Sequence, residues 1–401
     1  MHIHLKGGDI KNRGDQLMLR TVVDQLNQSK RDAKIGTYNY YVPYALRATL
    51  GLRQTLWFPN YRRISGLIGY PVLKRYRDTL GLIAPEDINW ILDLSGYCYT
   101  EYWGAENAIN MQKYLTKQAR HDSRYIILPQ AFGPFDNDQL REAALSVFDQ
   151  AALLFVRDDR SKQYVEDLGV SVPITKAPDL TTIAPTEVPS WCESQSPFMC
   201  IVPNSRMIEQ RDDSADAYVR FLALVCRRLE TEGRNVLFLL FEKRDQEILH
   251  TLCDRMGRQI QFVKESNPVR LRGILGAARA VVASRYHALV SALSQGVPSV
   301  GTSWSHKYEE LLSDYGCSQL IVDDLQDTDH IHEVVDTLSD AAHYDPLREQ
   351  LSSQATLMQN RAKEMWKTIG HTMGLSGVGS KPSERSGPAP QVIRPNGQAT
   401  R

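Results

Sequence analysis

The sequence predicts an α/β chain with two Rossmann-like domains of mostly parallel sheet facing across a cleft. Three observations carry this. Short apolar, β-rich runs alternate with helix-period segments almost from end to end, the mark of βαβ units. The 401 residues exceed what one core ordinarily holds. A Pro- and Ser-rich stretch without period, TIAPTEVPSWCESQSP (182–197), falls near the middle and reads as a linker.

The elements follow in order. MHIHL is a first strand, GGDIKNRGD a loop, and Asp15 is placed to open a helix over 16–28. NWILDLSG (89–96), YIILPQAFGPF (125–135) and ALLFVRDDRS (152–161) read as strands running into loops, the second followed by a helix from about Asp136 and the last by a helix to about Gly169, and PITKAPDL reads as a short strand and a loop. After the linker, FMCIVPN (198–204), NVLFLLFEK (235–243), QIQFV, ARAVVAS (278–284), PSVGTS (298–303) and SQLIVDD (318–324) are strands. Helices are predicted over 215–231, 244–256, 267–278, 305–315, 328–342 and 346–370. The resulting division is 1–185 for the first domain, with an aromatic-basic insertion at about 38–80, and 186–197 for the linker. The second domain covers 198–345, a C-terminal helix 346–372, and a disordered tail 373–401, which is rich in Gly, Pro and Ser.

Composition narrows the function. With 42% hydrophobic and 23% charged residues the chain is of soluble, globular type, and its formal net charge is zero. No whole-molecule field draws it to nucleic acid. The six cysteines (98, 192, 200, 226, 253 and 317) are scattered and form no C-x-x-C pair, so buried free thiols are expected. No apolar run has membrane-spanning length and no signal peptide is visible, so a cytoplasmic location is expected. GxGxxG, P-loop, HExxH and G-x-S-x-G patterns are missing, as is zinc spacing, and no metal is expected.

One segment departs from the rest. Ala33 to Arg77 contains no acidic residue, many aromatics, and basic residues that include Arg62 and Arg63. It reads as a partly buried insertion with a basic rim, or as a surface for an anionic acceptor or the inner face of a membrane.

The chemistry concentrates where strands end. In Ser284-Arg285-Tyr286-His287 a buried strand gives way to a helix, whose N-terminus favours an anion. Arg285 brings a planar fork for phosphate or carboxylate, and His287 a group that exchanges protons near neutral pH. Lys307 lies one βα unit on. Other strand-end loops hold Asn12 to Asp15, Gln130, Arg157 and Asn204, each also readable as a capped turn.

At these residues the chain resembles the polysaccharide pyruvyl transferase family. Four pieces carry the resemblance: N-x-G-D (Asn12, Gly14, Asp15), L-P-Q-x-x-G-P-F (128–135), F-V-R-D-x-x-S (155–161) with Ala177-Pro178-Asp179, and S-R-Y-H-A-L…G-V-P-S-V with S-H-K-Y-E-E-L-L. In order they span roughly residues 7–320. The resemblance implies a fold like that of GT-B glycosyltransferases. It implies transfer of the enolpyruvyl group of phosphoenolpyruvate to two hydroxyls of one sugar in cell-surface or exopolysaccharide synthesis, with no cofactor beyond phosphoenolpyruvate as co-substrate. His287 is then the catalytic histidine. Arg285, Arg157, Lys307 and Asn204 are assigned to the donor, and Asn12, Gln130, Arg62 and Arg63 to a saccharide acceptor, lipid-linked or free. The reaction needs a base for the sugar hydroxyl, and Asp15 is the candidate, although an N-cap role explains it equally well. A nucleotide-sugar glycosyltransferase of the same fold, and a non-enzymatic partner- or membrane-binding protein, are the alternatives.

Overall fold

A computed structural model describes residues 1–8, 10, 12–29, 32–38, 40–56, 76–193, 197–209, 215–302, 305–380, 392–393 and 399–400. The chain forms two compact units. One comprises 1–11, 18–180 and 361–382; the other comprises 12–17, 181–360 and 383–401.

The first unit is built on an eight-stranded, all-parallel sheet. Its strands are β1 (His2–Gly7), β2 (Lys34–Thr37), β3 (Arg53–Thr55), β4 (Leu82–Ile83), β5 (Trp90–Leu94), β6 (Arg124–Gln130), β7 (Ala151–Val156) and β8 (Ile174–Lys176). Their order is β4-β3-β2-β1-β5-β6-β7-β8. Every residue of β5 is buried, as a strand covered on both faces requires. The order reverses between β1 and β5, and such a switch point is where parallel sheets hold ligands. Gly7 sits there with φ of +90°, and a Cβ on it would lie 2.9 Å from the Ser95 backbone, so only glycine fits.

Three of these strands, β2, β3 and β4, and two helices, Tyr44–Leu50 and Glu106–Gln118, were not legible in the sequence. The predicted insertion at 38–80 is in part a wing of the sheet, since β3 lies within it and β2 and β4 flank it. These strands are two to four residues long, and β3, Arg53-Gln54-Thr55, carries no apolar signal. The helix Glu106–Gln118 buries Ala108, Met111, Tyr114 and Leu115 at helical spacing. Residues 57–75, including Arg62 and Arg63, lie outside the described residues.

His4 illustrates how completely this core is dried. Its Nδ1 lies 2.9 Å from Thr55 Oγ1 and its ring 4.3 Å from that of Tyr38. Burial, helped by Lys6, pushes the imidazole down to about 3. In the unfolded chain the same group titrates near 6.5, so between these values the unfolded state binds the extra proton. Stability is therefore fully present above about pH 6.5 and is lost as pH falls toward 3, by up to about 1.4 kcal/mol per pH unit. A His4→Gln variant is expected to show a flatter denaturation midpoint between pH 6.5 and pH 4.5 than the wild type; equal slopes would remove His4 as the cause.

The second unit repeats the plan. Its strands are β9 (Phe198–Val202), β10 (Asn235–Leu240), β11 (Phe262–Lys264), β12 (Ala280–Ala283), β13 (Ser299–Thr302) and β14 (Ile321–Val322). They run parallel in the order β14-β13-β12-β9-β10-β11, with the switch point between β9 and β12. The helix Pro268–Ala277 starts with Asn267, whose side chain accepts the Val269 N–H, and Pro268 occupies the position that has no hydrogen bond to lose.

The stretch predicted as a linker is fastened to this unit. Arg272 donates to Thr186, Ser294 and the Thr182 carbonyl, and Arg270 donates to Glu187. A Cβ on Gly273 would lie 2.0 Å from the Glu187 carbonyl oxygen, so glycine lets the stretch lie flat on the helix. The C-terminal helix is a single element, Ala341–Met373. The tail predicted as disordered begins with ordered residues: Leu375 and Val378 are buried, and the N–H groups of Gly379 and Ser380 donate to Gln25 and Gln28. Two short strands, β15 (Val392–Ile393) and β16 (Ala399–Thr400), add antiparallel to β11.

Candidate active site

The second unit gathers polar side chains at its β9/β12 switch point. The amide Nδ2 of Asn204 donates to the Ser284 carbonyl at 2.8 Å, and the Tyr308 hydroxyl donates to the same oxygen at 3.1 Å. Ser284 Oγ accepts from Tyr218 and from Thr302, each at 2.7 Å. Asn204, expected to touch a donor substrate, thus spends its amide on the carbonyl before Arg285. These bonds hold the ends of β9, β12 and β13 together and fix the start of the helix Tyr286–Leu293.

Arg285 departs most from its expected role. It is 8% exposed, and its fork is filled by the protein itself. Nη2 donates to Asp245 at 2.5 Å, Nη1 to Glu242 at 2.9 Å, and Nε to the Pro203 carbonyl at 2.9 Å. Asp245 is fully buried, and its other oxygen accepts the N–H groups of Phe241 and Glu242. Burial acts to lower Arg285, but Asp245 and Glu242 hold it above its ordinary value. One cation thus faces two carboxylates, an arrangement that ties β9, β10 and β12 together and does not offer a free fork to an anion.

His287 is half-buried at the start of the same helix, and the N-x-G-D turn lies against it. A Cβ on Gly14 would come within 2.0 Å of His287 Nδ1, 2.5 Å of Cγ and 2.9 Å of Cβ. Asn12 Oδ1 accepts the Gly14 N–H at 2.7 Å and shapes the turn. Asp15 follows, half-buried, in the first turn of the helix Arg13–Asn27. Lys307 opens the helix Lys307–Asp314, buried, with Nζ 5.7 Å from the Tyr286 ring and 5.8 Å from that of Tyr308. The first and fourth sequence pieces therefore meet in one place.

The second and third pieces meet in the first unit. The Arg157 N–H donates to the Gln130 carbonyl at 2.9 Å, and Gln130 Nε2 donates to the Asp93 carbonyl at 3.3 Å. Arg157 Nη1 pairs with Asp179 at 3.0 Å, both buried. Asp158 caps the helix Asp159–Asp167 by accepting the Ser161 N–H. Of the predicted residues, Asn12, Asp15, Asn204, Arg285, His287 and Lys307 belong to the second unit, and Gln130 and Arg157 to the first.

Among the described residues no cluster of His, Cys, Asp and Glu has the makings of a metal site. Five of the six cysteines are buried and none is disulfide-bonded; burial pushes the thiols of Cys98, Cys226 and Cys317 up to about 12, which disqualifies them as nucleophiles near neutral pH. No described helix is long and apolar enough to cross a membrane. Sequence reasoning gave no role to Tyr218, Glu242, Asp245, Ser284, Thr302 and Tyr308, although Ser284 and Tyr308 fall within the fourth sequence piece. For Glu242 and Asp245 the available signal was a carboxylate pair just past the buried strand NVLFLL, in the run FEKRD.

Two parallel-sheet units with polar side chains at the strand ends define a Rossmann-type protein of the GT-B fold class. Within that class the chain belongs to the polysaccharide pyruvyl transferase family, whose model matches residues 12–306. Solved structures similar in fold include a Staphylococcus aureus MnaA–UDP complex, at 9% identity and TM-score 0.58, covering 96% of this chain and 99% of that one. UDP-GlcNAc 2-epimerase from Neisseria meningitidis, bound to UDP-GlcNAc, is 10% identical with TM-score 0.56, covering 92% and 99%. Sucrose-phosphate synthase from Thermosynechococcus elongatus is 11% identical with TM-score 0.56, covering 93% and 99%. At these identities the likeness is one of fold.

Proposed function

We propose that the protein transfers the enolpyruvyl group of phosphoenolpyruvate to two hydroxyls of one saccharide, giving a cyclic pyruvate ketal and inorganic phosphate. The observation that carries this reading is the packing of the N-x-G-D turn against His287, because it joins two separate family motifs around the one histidine at the switch point. Protonation of the donor at C3 builds positive charge at C2. A sugar hydroxyl adds there, and a second hydroxyl displaces phosphate. His287, at a helix N-terminus, is the proton donor in this scheme. Lys307, in the same unit as His287, is the cation proposed to meet the donor's phosphate or carboxylate. The acceptor is proposed to be a cell-surface saccharide, free or lipid-linked, reached from the cytoplasm.

The test measures phosphate release and the ketal methyl signal by NMR, with phosphoenolpyruvate and a glycan panel. Replacing His287 with alanine is expected to lower turnover about 10²–10⁴-fold with the melting temperature kept within a few degrees. A variant as active as the wild type would remove the assigned role. Thermal stabilisation by nucleoside diphosphates and none by phosphoenolpyruvate would overturn the whole reading.

A further inference from the structure

The carboxyl end of the first sheet carries a cation and an aromatic face that the roles assigned so far leave unused. Lys6 is the penultimate residue of β1, beside the β1/β5 switch point, and is half-buried. Its Nζ donates to the Tyr41 hydroxyl at 2.7 Å and lies 5.1 Å from the centre of that ring. Among the described residues it has no carboxylate partner. Asp93 is its register partner on β5, but that carboxylate accepts instead from Ser95, Tyr99 and Tyr125. An ammonium has three donors, so two N–H groups of Lys6 remain for an anion. Tyr40 supplies the face. It stacks on the buried Tyr38, with ring centres 5.1 Å apart and planes 15° from parallel. The ring of Tyr41 lies 4.4 Å from that of Tyr40 and 6.1 Å from that of Tyr38. These separations set Tyr38 and Tyr41 nearly at right angles about Tyr40, so Tyr41 meets an edge and the second face stays open. Tyr40 is accordingly 60% exposed. The turn that holds the three rings follows β2 directly and is closed by the N–H groups of Tyr41 and Val42, which donate to the Tyr38 carbonyl. An exposed ring backed by a buried one is a fixed surface for a partner.

We propose that this place binds a pyranose carrying an anionic group: the C–H face of the sugar stacks on Tyr40, and its phosphate or carboxylate meets Lys6. An aromatic face is negative, so it attracts the weakly positive C–H hydrogens of a sugar ring and leaves the hydroxyls to project sideways. Lysine is a point charge on a flexible stem and accepts either anion. Tyr41 adjoins both the cation and the platform, which keeps them within reach of one substituted sugar. The ring then selects for a saccharide and the cation for its charge. The proposal rests on the pyruvyl-transfer reading only in naming the bound sugar as the acceptor; the contacts themselves lie within the first unit.

Binding is read on the full chain, without phosphoenolpyruvate, by saturation-transfer NMR and calorimetry. The probes are the 1-phosphates of glucose and galactose, glucuronate and galacturonate, and the neutral methyl glycosides. The wild type is expected to bind a charged sugar about tenfold more tightly than its neutral counterpart. Lys6→Met should abolish that preference and leave the neutral glycosides unaffected. Tyr40→Ala should weaken charged and neutral sugars alike, by about fivefold, and Tyr40→Phe, which keeps the face, should bind as the wild type does. Tighter binding of the phosphates assigns the anion to a sugar phosphate, and tighter binding of the uronates to an acidic sugar; either supports the site. Equal affinity of the wild type for charged and neutral sugars, a preference that survives in Lys6→Met, or no binding at all overturns it. Tyr40 is exposed, so its variants test the platform even if Lys6→Met fails to fold, and undiminished binding by Tyr40→Ala overturns the proposal as well. If ketal forms on a glycan and none of these sugars binds, the transfer reading stands and this proposal falls. If the binding pattern appears and no glycan yields ketal, the site stands and the transfer reading falls.

Discussion

Replacing Gly14 with alanine is expected to lower turnover about 100-fold and also to destabilise the protein. Helix propensity alone predicts the opposite sign for stability, since alanine is favoured over glycine by about 1 kcal/mol in a helix. The steric argument outweighs it. The added methyl would sit 2.0 Å from His287 Nδ1, far inside contact distance, and 2.9 Å from His287 Cβ, so turning the ring does not clear it. The histidine lies in a helix whose other residues are all buried, which leaves the backbone little room to yield. A misplacement of about 1 Å in a catalytic group costs on the order of 100-fold in rate. The double variant Gly14→Ala/His287→Ala separates the two effects. It should recover much of the lost melting temperature, since the ring contacts at 2.0 and 2.5 Å are gone and only the 2.9 Å approach to Cβ remains, and it should stay inactive. A Gly14→Ala protein that is more stable than the wild type and fully active would show that the contact is not rigid.

Much of the fold was legible because parallel strands buried on both faces read as unbroken apolar runs. FMCIV, NVLFLL and AVVA each became a central strand at the place expected. Strands at the wing of the first sheet were not legible, because Arg53-Gln54-Thr55 owes its structure to pairing with neighbours on both sides. The linker misled for a related reason. Proline and serine without period describe an irregular backbone, and Arg270 and Arg272, some 85 residues on, decide that this backbone lies flat.

The site shows the same division. Strand-end position and residue type were enough to single out His287, Lys307 and the N-x-G-D turn. What those side chains touch was not available, because every decisive contact is long-range. Glu242 falls near the end of the predicted strand 235–243 and Asp245 at the start of the predicted helix 244–256, and only the adjacency of β10 to β9 and of β9 to β12 carries Asp245 to Arg285. An arginine at the end of a parallel strand therefore has two competing uses, an external anion or an internal carboxylate, and the sequence does not choose between them.

The second large effect follows from that choice. Arg285→Met leaves the Asp245 carboxylate fully buried and without its counter-ion, and such a change costs about 3–5 kcal/mol. That is a large share of the roughly 5–15 kcal/mol that keeps a domain folded. The loss should depend on pH. Burial already pushes Asp245 above its ordinary value, with Arg285 pulling against it, and removing the arginine raises it further. A carboxyl whose folded value lies above its unfolded one stabilises below the unfolded value, near 3.8, and loses that contribution as pH rises through the folded value. The deficit of Arg285→Met relative to wild type should therefore be larger at pH 7 than at pH 4, read from urea denaturation midpoints at both. Arg285→Met/Asp245→Leu removes the stranded charge and should regain most of the loss. Were Arg285 instead a contact for the donor, its replacement would raise the KM for phosphoenolpyruvate and leave the midpoints and their pH dependence as in the wild type.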